Sequence, residues 1–217
     1  MEIEKWFKGF EKGLERLSPE QRSAFLSECG RNCVNGGTRN RLRNETRSRV
    51  SVLIMMNEMQ LRPFNPDDAE TILGWCKDKH AFRLWSADRY RGFPARPEEM
   101  MEQYKGETMY PFTAVVGEEI IGHILLRFPL EDKRVIRFGF VIVDDSKRGR
   151  GYGRQMLRLA IDYAQQQLGA RRITLGVFCD NLSAVECYKS VGFRIVGMDS
   201  YLIDGEEWKG YEMEFVA

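Results

Sequence analysis

Residues 138–169 read FGFVIVDDSKRGRGYGRQMLRLAIDYAQQQLG, and three kinds of local structure meet in them. Phe138 to Val143 is an unbroken apolar and glycine run, too short for a helix and closed by Asp144 and Asp145, which is the pattern of an inner strand. From Arg154 onward, Met156, Leu157, Ala160, Ile161, Ala164 and Leu168 recur at spacings of three and four. They form one apolar stripe on a helix that stops at Gly169. Between strand and helix lies Arg148-Gly149-Arg150-Gly151-Tyr152-Gly153.

That turn is suited to an anion. Glycines accept positive φ and let the backbone approach a ligand, so successive N–H groups can point into one concavity while the helix N-terminus adds partial positive charge. Arg148, Arg150 and Arg154 add full charges, and a pyrophosphate is the expected guest. No Gly-Lys-Ser/Thr follows the turn, and no third glycine stands at dinucleotide spacing, which argues against a nucleoside triphosphatase and a dehydrogenase.

The turn fits Arg/Gln-x-x-Gly-x-Gly/Ala, with Arg148, Gly151 and Gly153 in the defined places, and one strand later residues 181–193 read NLSAVECYKSVGF. In these two elements the chain resembles the GNAT superfamily of acetyl-CoA-dependent N-acetyltransferases, whose second element is Asn-x-x-Ala-x-x-x-Tyr-x-x-x-Gly-Phe. The resemblance covers residues 59–216. It implies an α/β fold, a mixed and strongly twisted sheet of about seven strands flanked by helices, and acetyl transfer from acetyl-CoA, a co-substrate, to a primary amine by direct attack in a ternary complex. The turn, with Gly149, Arg150, Tyr152 and Arg154, is then the pyrophosphate site. Val141, Ile142 and Val143 correspond to the strand that pairs with pantetheine, Asn181 to a pantetheine contact, and Tyr188 to the general acid toward sulfur. A phenol with its ordinary pKa near ~10 can donate that proton without being charged beforehand. Asp145 stands where the family often has proline.

The general base is missing from this scheme. Where many relatives place a glutamate on the central strand, the sequence has Arg137, Gly139 and Val141. Either water carries the proton outward or a group elsewhere takes it, the candidates being Glu131, Asp132, Asp144 and His123, the last more often a hydrogen-bonded structural residue. Cys179 and Cys187 flank the second motif without a histidine partner that would make either a nucleophile. His80, Phe82, Trp85, Tyr90 and Phe93 crowd a stretch of little periodicity. The family's acceptor wall lies there, so Trp85, Tyr90 and Phe93 are candidate substrate contacts; the same residues would serve equally as a satellite hydrophobic cluster under a long loop.

Composition is that of an ordinary globule: 217 residues, 43% hydrophobic and 30% charged, with a formal net charge of +1. That charge gives no general pull toward nucleic acid or membrane. No apolar run approaches the ~20 residues of a membrane span, and the first residues lack the apolar centre of a signal peptide. Five cysteines without a framework pattern fit a reducing compartment, so a cytoplasmic location is expected. Expected partners are a small-molecule amine or a peptide N-terminus. Only Glu98, Glu99 and Glu102 hint at a polyamine or aminoglycoside acceptor.

Residues 1–54 are read as a helical extension and basic linker preceding a catalytic domain over 55–217. Trp6, Phe7, Phe10, Leu14 and Leu17 suggest one amphipathic helix, and Ser18-Pro19 opens a second with Phe25 and Leu26. Cys29 and Cys33 have no second pair or histidine nearby, so no metal site is assigned. Arg39, Arg41, Arg43, Arg47 and Arg49 read as a solvated basic linker. The extension is either a fused remnant or a dimerisation arm, the latter implying a homodimer.

In the catalytic part, Asn65-Pro66-Asp67-Asp68 is a helix start, and Pro97 opens a further helix to about Lys105. Strands are expected over 59–64, 112–116, 120–128 and 135–143, and again at Ile173 to Val177. Ser183-Ala-Val-Glu186 is read as a capping box for the last helix, and Asp204-Gly205 as a hairpin turn before the final strand. Two other classes of function stay open: a non-catalytic acyl-CoA-binding module, and an interaction protein acting through residues 1–54.

Overall fold

The computed structural model describes residues 58–216 apart from 130, 131 and 133. The expected N-terminal helices, the Cys29/Cys33 pair, the basic run and Glu131 lie outside the described residues. Seven strands form one sheet: β1 (Met59–Pro63), β2 (Met109–Val116), β3 (Glu119–Arg127), β4 (Val135–Val143), β5 (Arg172–Phe178), β6 (Arg194–Ile203) and β7 (Glu206–Val216), in the order β1-β2-β3-β4-β5-β7-β6. Neighbours are antiparallel except β4 and β5. The parallel pair needs a crossover, and the helix of the opening stretch supplies it.

Among the described residues five helices flank the sheet: α1 (Ala69–Leu73), α2 (Lys79–Ser86), α3 (Pro97–Gln103), α4 (Tyr152–Gln166) and α5 (Leu182–Ser190). The stripe expected on α4 is buried as far as Ala164, with Met156, Ala160 and Ala164 wholly hidden, while Leu168 lies past the helix end at Gln166 and is half-buried; the stripe packs with Ile124, Ile136, Ile173, Leu175 and Met213 into the larger core. Each such aliphatic side chain contributes roughly 1.5–3 kcal/mol when fully buried. The other sheet face carries a smaller core of Ile72, Trp75, Phe82, Tyr90, Met100 and Ile142 under α1 to α3.

Local chemistry explains the boundaries. Asn65 caps a 3-10 turn at Pro66–Asp68 while Asp68 answers its backbone N–H, a reciprocal cap that leads directly into α1. Asp204 and Gly205 both adopt positive φ, 53° and 82°, as a two-residue turn matching the strand twist requires.

Three expectations are corrected. The aromatic stretch is irregular only in its second half: Asp78 accepts from the Ala81 N–H at 2.7 Å and starts α2, which carries His80, Phe82 and Trp85, while Tyr90 and Phe93 follow in irregular chain. Ala81, Phe82, Leu84 and Trp85 form one continuous apolar stripe on α2, with Phe82 toward the core and Ala81, Leu84 and Trp85 toward a cleft. The helix opened by Pro97 ends at Gln103, short of Lys105. The last helix is capped by Asn181, which accepts from the Ala184 N–H at 3.3 Å, and Glu186 pairs outward with Lys189 instead of closing a box.

One break in the sheet creates the site. Among the described residues β4 and β5 pair only at Val135, Ile136 and Arg137. On its other edge β4 carries a bulge: His123 faces Ile142, but Leu125 already faces Gly139, and Phe140 within the extra length has φ +49°. A bulge bends and twists its strand, here away from β5. Phe140 holds a left-handed conformation that costs a non-glycine residue about 1–2 kcal/mol.

Candidate active site

The parted strands open a cleft of about 740 Å³. Phe138 to Val143 of β4 line one wall, Leu175 to Val177 of β5 the other, and the first turns of α4 and α5 close the end. Beyond residue 137 the β4 edge toward β5 has no strand partner among the described residues, so an extended ligand arm can take its backbone groups.

At the helix end, Gly149 and Gly151 have φ +77° and +85° while the intervening chain stays on the ordinary side. This alternation turns successive N–H groups inward. Gly151 is the N-cap of α4 and offers no side chain, so the first N–H groups of a 15-residue helix lack an internal acceptor. Gly153 has a different reason to be glycine: a Cβ there would lie 3.3 Å from the Cys187 Sγ of α5. Arg148, Arg150 and Arg154 form no ion pair among the described residues. Arg148 and Arg154 line the cleft and Arg150 does not; Lys147, also lining it, is tied to Glu119.

On the α5 side Asn181 and Tyr188 both line the cleft. Only 7% of Tyr188 is exposed, and burial pushes its phenol well above the ordinary tyrosine range. It therefore stays protonated at any physiological pH, the state a proton donor needs. Cys187 beside it is raised by burial, partly offset by Arg154. Cys76, on the far wall, is pushed up to about 11 by burial. Neither thiol is poised as a nucleophile.

The far wall comes from the turn after α1 and from α2: Trp75 and Cys76, then Ala81, Leu84 and Trp85, with Phe140 of the bulge. Of the three candidate substrate contacts, Trp85 lines the cleft. Tyr90 is buried behind it, its ring 5.8 Å from those of Trp85 and Phe140, and Phe93 packs on Phe82 at 5.4 Å away from the cleft. Lys79 and Arg83 of α2 both reach Asp204 in the β6–β7 turn, and His80 lies over Trp208, so this wall is tied to the far side of the sheet.

The candidate bases are dispersed. Asp132 is gripped by Arg134, which holds its carboxyl down at about 2. Asp144 caps the turn before Arg148 through the Ser146 N–H at 2.9 Å. His123 is fully buried, 2.6 Å from the Tyr104 hydroxyl, and burial holds its pKa at about 3. A ring so reluctant to take a proton is a poor base.

The acetyltransferase (GNAT) family matches this chain over residues 79–193, from α2 through both motifs. The chain belongs to that family. Its relatives include the L-amino acid N-acetyltransferase AaaT of Escherichia coli (strain K12), 33% identical over 86 residues, 39% of this chain and 52% of that protein. The Bacillus subtilis (strain 168) protein named probable N-acetyltransferase YjcK is 26% identical over 147 residues, 64% of this chain and 81% of that one. The chain spans about half the length, or less, of the first curated relatives it matches. The spermidine N-acetyltransferase of Vibrio cholerae, solved with CoA and spermine, superposes with a TM-score of 0.62 over 73% of this chain and 95% of its own, at 22% identity. That likeness establishes the shared acetyltransferase fold. Among the described residues no helix is long and apolar enough to cross a membrane.

Proposed function

We propose that this chain is an N-acetyltransferase that moves the acetyl group of acetyl-CoA to a primary amine by direct attack, both substrates being bound together. The observation that carries the reading is the parting of β4 and β5 between an anion-binding helix end and a protonated tyrosine. The inward N–H groups of the turn, with Arg148 and Arg154, hold the pyrophosphate. The unpaired edge of β4 at Val141 to Val143 and the amide of Asn181 hold the pantetheine arm. This lays the thioester near Tyr188.

Chemistry then needs three things: a neutral amine, a polarised carbonyl and a protonated leaving sulfur. The phenol of Tyr188 supplies the last, and a backbone N–H freed by the bulge steadies the carbonyl oxygen. The acceptor enters over Trp85 and Phe140, whose rings favour a small amine with an apolar portion, or the first side chain of a peptide. One relative is named for L-amino acids and a structural neighbour for spermidine. The aromatic wall of this cleft, without a carboxylate from α2, favours an acceptor of the first kind over a polyamine.

The test is thiol release from acetyl-CoA against a panel of amino acids, small amines, polyamines and N-terminal peptides, with the acetylated product identified by mass. Turnover with at least one primary amine is expected. Tight binding of acetyl-CoA without any acceptor-dependent thiol release would contradict the enzyme reading and leave an acyl-CoA-binding module.

A further inference from the structure

β4 carries no carboxylate, and one from β7 lies beside the point where β4 and β5 part. Arg137 is the last residue of β4 paired with β5, opposite Thr174, and so stands where the strands begin to part. Its guanidinium grips both carboxylate oxygens of Glu212, with Nη2 to Oε2 at 2.9 Å, and Nη1 lies 3.4 Å from Thr174 Oγ1. Glu212 in turn faces Gly176 of β5 and Gly197 of β6. A Cβ on Gly176 would lie 2.9 Å from Arg137 Nη2 and 3.8 Å from Glu212 Oε2, and one on Gly197 3.8 Å from the Glu212 Cβ. The pair thus covers bare backbone, and Gly176 is part of the cleft wall shared with Tyr188. Both side chains keep about a quarter of their surface open, 24% and 27%, so water reaches them.

Resting on the acetyltransferase reading above, we propose that Glu212 receives the proton of the acceptor ammonium and that Arg137 positions it. The charged groups around the pair come from four elements. Arg127 of β3 is paired with Arg137 in register, Arg89 follows α2, Asp199 and Tyr201 lie on β6, and Arg172 of β5 holds Glu214. Among these, Glu212 is the carboxylate beside Gly176, just outside the cleft lining; the carboxylates that line the cleft, Asp180 and Glu186, stand at its α5 end with Asn181. The ammonium gives one proton to Glu212, and the freed lone pair forms the C–N bond. The C–S bond breaks with its electron pair on sulfur, which takes the Tyr188 proton. The second nitrogen proton restores the phenol through water, and Glu212 releases its own to solvent. Ammonium and thioester become amide, thiol and one proton.

The test compares Glu212→Gln, Glu212→Asp and wild type, with acetyl-CoA affinity measured in each to show an intact fold. For Glu212→Gln a fall of about a hundredfold or more in kcat/KM for the amine at neutral pH is expected, at unchanged acetyl-CoA affinity. The deficit shrinks as pH approaches the acceptor's own pKa, where the amine arrives neutral, and Glu212→Asp recovers part of the rate. A loss equal at every pH overturns the proposal, as does turnover by Glu212→Gln within about twofold of wild type at neutral pH. If Glu212→Gln loses acetyl-CoA binding, Glu212→Ala decides by the same two criteria. Failure of wild type to turn over any amine overturns the acetyltransferase reading itself, and this proposal with it. An active wild type with an unaffected Glu212→Gln overturns this proposal alone.

Discussion

The Tyr104 hydroxyl and His123 Nε2 lie 2.6 Å apart beneath stacked rings, inside the small core that backs the acceptor wall. Both groups are held neutral by burial, Tyr104 raised well above the tyrosine range and His123 lowered to about 3. This pair braces Phe140, whose ring lies 5.9 Å from that of Tyr104.

A pH dependence of stability follows. In the unfolded chain His123 takes a proton near its ordinary 6.5, while the folded chain refuses it down to about 3. As pH falls through that window the unfolded state binds more protons, so stability is lost on the acid side, by roughly 1 kcal/mol per pH unit. Urea denaturation at a series of pH values should show this slope in wild type. It should be flatter between about pH 6 and 4 in His123→Gln, whose amide can still meet the Tyr104 hydroxyl. Equal slopes would place the acid sensitivity elsewhere.

Asp68 gives a second prediction. Its carboxylate is nearly buried and meets Arg62 at 2.6 and 2.7 Å, Thr113 Oγ1 at 2.7 Å and the Asn65 N–H at 3.0 Å. Burial alone would raise its pKa, but these four donors together lower it. Asp68→Ala strands a buried hydroxyl and a cap as well as a cation, and should cost about 3 kcal/mol, read as an earlier urea midpoint at unchanged slope. A cost within about 0.5 kcal/mol would show that Arg62 simply turns to solvent.

The contact between α4 and α5 makes a third. Because a Cβ on Gly153 would press on Cys187 Sγ at 3.3 Å, Gly153→Ala should push the two helices apart and weaken acetyl-CoA binding about tenfold. Removing the sulfur in Gly153→Ala/Cys187→Ala should recover most of it, a coupling visible in a double-mutant cycle. For Gly151→Ala no such rescue is expected, since the obstacle there is φ +85° and not a neighbour. Additive losses at 153 and 187 would contradict the steric explanation.

Much of the architecture was readable because the decisive signals are local. The β4 run, the glycine turn and the α4 stripe are contiguous, the Asn65 cap spans four residues, and Asp204-Gly205 states its own turn type. What escaped depends on distance. The apolar stripe of α2 covers only eight residues and runs straight into the irregular chain that carries Tyr90 and Phe93, so over the whole aromatic stretch the period is lost. Tyr90 and Trp85 are equally aromatic in sequence, yet only tertiary packing puts one behind the other. The Arg137–Glu212 pair joins residues 75 positions apart through the register of β5 with β7, so a strand that shows no carboxylate in sequence has one across the sheet.

The most direct test of the account is acceptor-dependent thiol release from acetyl-CoA by wild type and Tyr188→Phe, with acetyl-CoA affinity measured on both. The account predicts that the phenylalanine variant binds acetyl-CoA as wild type does and loses about a hundredfold or more in kcat. A variant that releases thiol at the wild-type rate would show that Tyr188 is a packing residue of α5 and that the sulfur finds its proton elsewhere.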